Sequence, residues 1–175
     1  MPFGVLGENM IEVSKLSSLY DVRPLSEDDA DEILDVLKDN PQFYKYNDSE
    51  PTRQQVIKDM NLLPTGTDMQ DKYYVGFYRG HDLMAIMDII DGYPLDEVAY
   101  IGFFMMNRRF QGRQIGTTVI REVSSYMKKI GKTKLRLVID KGNPQSTHFW
   151  GKNGFVVFRE VEQNGHILME ADKAL

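Results

Sequence analysis

Residues 107 to 117 read NRRFQGRQIGT, an order of glycines and arginines before a helix start that suits an anion. The N–H groups of a first helical turn have no intrahelical partners, and the helix dipole favours negative charge beside them. Gly112 and Gly116 let backbone approach closely, and Arg109 and Arg113 add charge. The run has no GK[ST] of a Walker loop and is not a G-x-G-x-x-G turn. A glycine-containing strand-to-helix turn with solvated arginines is the alternative that spacing alone leaves open. His81, His148 and His166 are dispersed and there is no cysteine, so no metal-ligand spacing appears, and a cysteine nucleophile and a disulfide framework are excluded.

The elements that must hold this run follow from hydrophobic period and punctuation. A short strand is expected near Leu19 to Arg23, then a capping box from Ser26 to Asp29 and a helix with Ala30, Ile33, Leu34 and Leu37 on one face, ended by Pro41. Pro51 is expected in the first turn of a second helix, with Val56, Ile57 and Met60 inward and Pro64 to Thr67 closing it. Three runs read as an antiparallel meander: 72 to 79, 83 to 90 and 97 to 106. A helix over 116 to 130 ends at Gly131 with Lys128, Lys129 and Lys132 at its negative end. A strand at 134 to 140, a short helix from Asn143-Pro144 to Gly154, and a hairpin of 155 to 161 and 166 to 171 about Asn164-Gly165 complete the chain. The order is β-α-α-β-β-β-α-β-α-β-β. It predicts an α/β (α+β) fold with a central mixed, mostly antiparallel sheet of about seven strands flanked by about four helices.

Length and composition fit one domain over 1–175, with a short extension at 1–17. No apolar run approaches the roughly 18 residues of a membrane span, and a cytoplasmic protein is expected. The net charge of -5 hides an asymmetry, with 8 Lys+Arg against 20 Asp+Glu in residues 1 to 100 and 13 against 6 in the remainder. The basic run from 108 to 141 invites a polyanion. The chain as a whole is acidic and that run lacks interleaved aromatics, which favours a small phosphorylated ligand over nucleic acid. The acidic first half favours a cationic partner. Asp88, Asp91, Asp96 and Glu97 lie near strand ends, and the loop from Asp91 to Glu97 is the preferred contact; the helix acids from Glu27 to Asp39 also read as a solvated face.

QGRQIG at 111 to 116, after a strand, resembles the [Q/R]-x-x-G-x-[G/A] motif of the GNAT superfamily of N-acetyltransferases, and NPQSTHFWGKNGF at 143 to 155 is similar to its second hallmark. The resemblance covers about residues 72 to 160 and implies a GNAT-like fold with acetyl-CoA as cosubstrate. It implies that the backbones of Phe104 and Met106 bind the pantetheine arm, with the Met106 N–H near the thioester carbonyl. Gln111, Gly112, Arg113, Gln114, Ile115, Gly116 and Thr117 would wrap the pyrophosphate, and Asn143 and Ser146 would help to hold the pantetheine. Arg108, Arg109 and the Lys128 to Lys134 cluster would meet a ribose phosphate or remain solvated.

Two residues depart from the motif. Gln114 stands at its first glycine, and Trp150 where the family usually has a tyrosine acid, a proton donation that an indole N–H cannot make. Trp150 reads either as an apolar anchor or as a neighbour of the thioester. Tyr100 falls by period-two counting on the face of Phe104 and Met106, where some relatives carry a glutamate base; it is a candidate base or relay, or else a buried structural tyrosine. The implied activity is transfer of acetyl to a primary amine, of a small molecule or a protein, by direct attack in a ternary complex, by a monomer or homodimer. A catalytically silent acyl-CoA-binding sensor or interaction module on the same scaffold is the alternative.

Overall fold

The period of two between Lys72 and Met106 becomes the middle of a seven-stranded sheet in the computed structural model, which describes residues 11–41 and 50–175. The strands are β1 (Asp21–Pro24), β2 (Lys72–Arg79), β3 (Asp82–Asp91), β4 (Val98–Met106), β5 (Lys134–Asp140), β6 (Val156–Gln163) and β7 (His166–Ala174). Their spatial order is β1-β2-β3-β4-β5-β7-β6, and every neighbouring pair is antiparallel except β4 and β5. The described α-helices are α1 (Ala30–Lys38), α2 (Arg53–Asn61), α3 (Ile115–Lys129) and α4 (Pro144–Lys152). The fold class is that read from the sequence, and among the described residues the strands and α-helices follow the expected order.

Two apolar layers sandwich the sheet. Val119, Ile120, Val123 and Met127 of α3 and Trp150 of α4 pack on Val75, Met87, Ile89, Ala99 and Ile101. Ala30, Ile33, Val36 and Leu37 of α1, with Val56 and Met60 of α2, cover Tyr78, Leu83 and Ile86 on the other face. Each such aliphatic side chain contributes about 1.5–3 kcal/mol when fully buried.

Local chemistry explains where elements start and stop. Ser26 and Asp29 form the expected capping box, though a 3-10 turn at Glu27–Asp29 precedes the α-helix. Helix α2 differs from expectation at both ends. The Thr52 side chain caps it by accepting from the Gln55 N–H, so Pro51 lies outside the first turn, and the helix ends at Asn61, before Pro64. Strand β7 runs on past residue 171 because Asp172, Lys173 and Ala174 pair with Arg136, Leu135 and Lys134 of β5. There the Arg136 guanidinium donates twice to Asp172, at 2.7 and 3.0 Å, an ion pair that makes a polar tail into a strand. The β6–β7 turn places Asn164 at φ 51 and Gly165 at φ 79, as an Asn-Gly hairpin turn requires.

Two irregularities in β4 shape the centre of the molecule. Asp88 faces Phe103 across the β3–β4 ladder while Ile89 faces Ile101, so Gly102 is the extra residue of a β-bulge. On its other edge β4 pairs with β5 only from Val98 to Tyr100, opposite Lys134 to Arg136. Beyond that point the two parallel strands part.

Candidate functional site

The parting of β4 and β5 opens a cavity of about 880 Å³. Its walls include Gly102, Phe104 and Met106 from β4, Leu137 and Val138 from β5, and Asn143, Ser146 and Trp150 from the start and middle of α4. The loop after β4 and the first turn of α3 close one end through Gln111, Gly112, Gln114, Ile115, Gly116 and Thr117. Eleven of the residues singled out in the sequence therefore share one wall system, and Arg113 and Tyr100 are not among the cavity's lining residues.

The closing loop presents backbone. Gly112 has φ 73 with open space where a Cβ would stand, and Gln114 has φ 60, the left-handed conformation that its motif position would give to glycine. A non-glycine residue there costs about 1–2 kcal/mol. Gln114 is the N-cap of α3 yet makes no side-chain cap hydrogen bond, so no side chain closes the helix start. A Cβ on Gly116 would stand 3.2 Å from Phe149 and 3.4 Å from Met106, which explains a glycine in a helix. The Gln111 side chain is engaged, its Nε2 donating to Asn40 Oδ1 at 2.6 Å and to the Met106 carbonyl at 3.0 Å. Asn40 Nδ2 donates to the same carbonyl at 3.2 Å, tying the end of α1 to the end of β4. Sequence reading missed Asn40.

The basic residues divide between the cavity and ion pairs elsewhere. Arg108 lines the cavity, but Arg109 pairs with Asp82 at 2.8 Å. Lys132 pairs with Asp91, and Lys134 pairs with Asp172. Lys128 and Lys129 lie at the far end of a helix roughly 22 Å long at 1.5 Å per residue. The Lys128 to Lys134 cluster is thus not part of the cavity wall.

Asn143 Oδ1 caps α4 by accepting from the Ser146 N–H at 3.1 Å. Trp150, 7% exposed, meets Phe104, Phe149 and Phe155 with ring centroids 5.7, 4.9 and 5.1 Å away, and Phe104 stacks on Phe149. The indole anchors the short helix and also contributes to the cavity wall.

The bulge at Gly102 changes the parity of β4. Phe104 and Met106 pack with the α3 and α4 layer, whereas Phe103 and Met105 pack with α1 and α2. Tyr100 pairs with Ile90 and Phe103 with Asp88, positions that share a face of β3, so Tyr100 lies on the face opposite Phe104 and Met106. Plain period-two counting fails at an inserted residue. Tyr100 packs edge-on against Tyr93 with centroids 5.3 Å apart. Burial, then the neighbouring Tyr93 and Glu170, push its phenol up to about 12 against the pull of Arg136.

On the Tyr100 face lies a buried ion pair that sequence reading did not assign. Lys72 Nζ donates to Asp88 Oδ2 and to the Leu62 carbonyl, both at 2.8 Å. Burial pushes the Asp88 carboxyl above its ordinary range; Lys72 pulls it down, and Asp59 adds a further push. Burial, followed by Asp88 and Asp59, raises the Tyr74 phenol strongly. Two signals in the sequence mark the spot: an aspartate inside LMAIMDII and a glycine inside a strand.

Comparison with known proteins places this geometry. The family described as Acetyltransferase (GNAT) family matches residues 31–155. An acetyltransferase from Thermus thermophilus shares 22% identity over 89% of this chain and 97% of its own, with a TM-score of 0.73. The PaiA N-acetyltransferase of Thermoplasma acidophilum, solved with coenzyme A, shares 20% identity over 89% and 99%, with a TM-score of 0.63. A chimera of the Vibrio cholerae spermidine N-acetyltransferase SpeG and hSSAT shares 16% over 90% and 96%, with a TM-score of 0.66. No curated protein matches the sequence.

Proposed function

We propose that this chain, which belongs to the GNAT acetyltransferase family, moves the acetyl group of acetyl-CoA to a primary amine by direct attack in a ternary complex. The observation that carries this reading is the cavity between β4 and β5 with the uncapped start of α3 at its end. An elongated ligand with a phosphorylated end fits such a site. The pyrophosphate would rest on the N–H groups from Gly112 to Thr117, where the missing Cβ of Gly112 leaves room. The acyl arm would lie along the unpaired edge of β4, within reach of the Met106 backbone, with Asn143 and Ser146 across the cavity.

Tyr100 enters this chemistry as a proton holder. A phenol pushed up to about 12 keeps its proton at neutral pH and can donate or relay one, but it cannot act there as the base. Trp150 provides no acid. A leaving thiol near the cysteine reference of about 8.5 departs without one at a loss within the roughly 10²- to 10⁴-fold of a single acid–base partner. Trp150 also favours a second reading, acyl-CoA binding without turnover.

Neighbours of this fold include a spermidine N-acetyltransferase, and the acidic first half of this chain suits a cationic acceptor. Isothermal titration with acetyl-CoA, followed by thiol release across a panel of amines, tests the proposal. Binding with release is expected. Binding without release across the panel favours the silent reading, and no binding overturns both.

A further inference from the structure

The face of the sheet beneath α1 and α2 holds a charged group that the proposed transfer has not yet used. Asp88 sits in the apolar middle of β3 with its side chain 12% exposed, and its partner Lys72 is 2% exposed. Taking two ions out of water is costly, and an apolar pair of similar volume often serves stability as well or better. The pair is also incomplete, because Asp88 Oδ1 is buried without a hydrogen-bond partner. An unmatched lone pair on a buried carboxylate is an expensive feature with an obvious use as a proton acceptor.

Gly102 supplies the second, independent observation. It is the inserted residue of the β4 bulge and it lines the cavity; a Cβ there would stand 2.8 Å from Asp88 Oδ2. Any side chain at this position would collide with that carboxylate oxygen, and Asp88 itself lies behind Gly102 rather than in the cavity wall. The bulge and the glycine therefore bring a carboxylate of β3, on the edge of β4 away from β5, into contact with a residue of the cavity wall. Asp91, by contrast, is paired with Lys132, so the loop expected from sequence to meet the acceptor has already neutralised its first acid.

We propose that Asp88 receives the acceptor's ammonium group across Gly102 and takes its proton. This rests on the acetyltransferase reading above. The step balances. One ammonium proton passes to Asp88, which becomes a neutral acid. The freed nitrogen bonds to the acetyl carbonyl carbon as the C–S bond breaks, a second nitrogen proton goes to the thiolate, and Asp88 returns its proton to solvent. Lys72 and Tyr74 from β2, Asp59 from α2 and Tyr100 from β4 are the titratable groups around Asp88. Both tyrosines are held neutral, Asp88 and Asp59 face Lys72, and Lys58 also lies near Asp59.

The test measures kcat for thiol release from acetyl-CoA between pH 6 and 10, with spermidine, an aminoglycoside and a peptide with a free N-terminus as acceptors. Asp88→Asn keeps the size and an oxygen for Lys72; its kcat is expected to fall about 100-fold while acetyl-CoA affinity stays within about twofold. Lys72→Met is the second variant, for the case that Asp88→Asn fails to fold. It keeps the carboxyl but removes its cation, so the acid limb of kcat is expected to move about one unit or more to higher pH. An Asp88→Asn enzyme within about threefold of wild type, a parallel loss of acetyl-CoA affinity, or an unmoved limb in Lys72→Met overturns the role of Asp88 alone. A wild type that releases thiol with none of the three amines overturns the amine reading and this role together.

Discussion

The two stretches of β4 on either side of its bulge present opposite chemistry. From Phe104 onward, into the first turn of α3, the cavity wall is backbone: glycine at 112 and 116, a left-handed Gln114 and a helix start that no side chain caps. From Gly102 back to Tyr100 the neighbouring polar groups are side chains, most of them buried: the Lys72–Asp88 ion pair and phenols held neutral. An invariant, highly charged cosubstrate can be bound by fixed dipoles that need no titration. A proton in transit needs a group whose ionisation is poised. The bulge lets one strand do both, because it turns Ile101 and Phe103, two residues apart, to opposite layers and leaves Gly102 open between them.

Mutations should separate the two stretches. The largest effect on binding is expected from Gly112→Asp, which places a carboxylate in open space beside the helix start. Acetyl-CoA affinity should fall about 100-fold by calorimetry while the fold survives, the left-handed φ costing about 1–2 kcal/mol. Trp150→Ala breaks the packing beneath both stretches. Truncating an aromatic buried against three others should cost about 3–5 kcal/mol in denaturant unfolding.

Tyr100→Phe acts on the side-chain stretch alone. It should lower kcat about tenfold, the lower side of the range for one proton-transfer partner, with acetyl-CoA affinity unchanged. The shape of the kcat profile from pH 6 to 9 should also persist, since a phenol at about 12 does not titrate in that window. An altered limb in that range would show that the phenol ionises during turnover. Gln114→Gly sharpens the comparison from the backbone side. Relieving the positive φ should stabilise the protein by about 0.5–1 kcal/mol, or a few degrees in Tm, without loss of acetyl-CoA affinity.

Acid stability gives the smallest effect. The Ser18 N–H holds the Glu122 carboxyl below its usual range against the opposing effect of burial, with the Ser18 and Ser17 hydroxyls assisting. A lowered folded-state value means that this contribution is full above the unfolded-state value and is lost as pH falls through the folded one. Glu122→Gln should therefore narrow its stability difference from wild type below about pH 4.

The backbone stretch was legible in sequence because its requirements are written in residue types. Gly112, Gly116 and Asn143-Pro144 each have few conformational uses, and the periodicity of strands and of α3 fixed the element order around them. The side-chain stretch was harder to read because it depends on a register. One inserted glycine in β4 moves Tyr100 to the other face and sets Asp88 against Gly102, and no local propensity specifies which residue will be the extra one. The partners of the basic cluster were hidden for a related reason. Its lysines are close in sequence, but pairing across strands gives Lys132 to Asp91 and Lys134 to Asp172.

The central claim is that a phosphorylated acyl carrier lies along the free edge of β4 and on the start of α3. Amide hydrogen exchange with and without acetyl-CoA tests it most directly. Protection concentrated at residues 104 to 106 and 112 to 117, with the basic far end of α3 unchanged, is the predicted result. Protection confined to that far end, or no protection at either stretch, would contradict it.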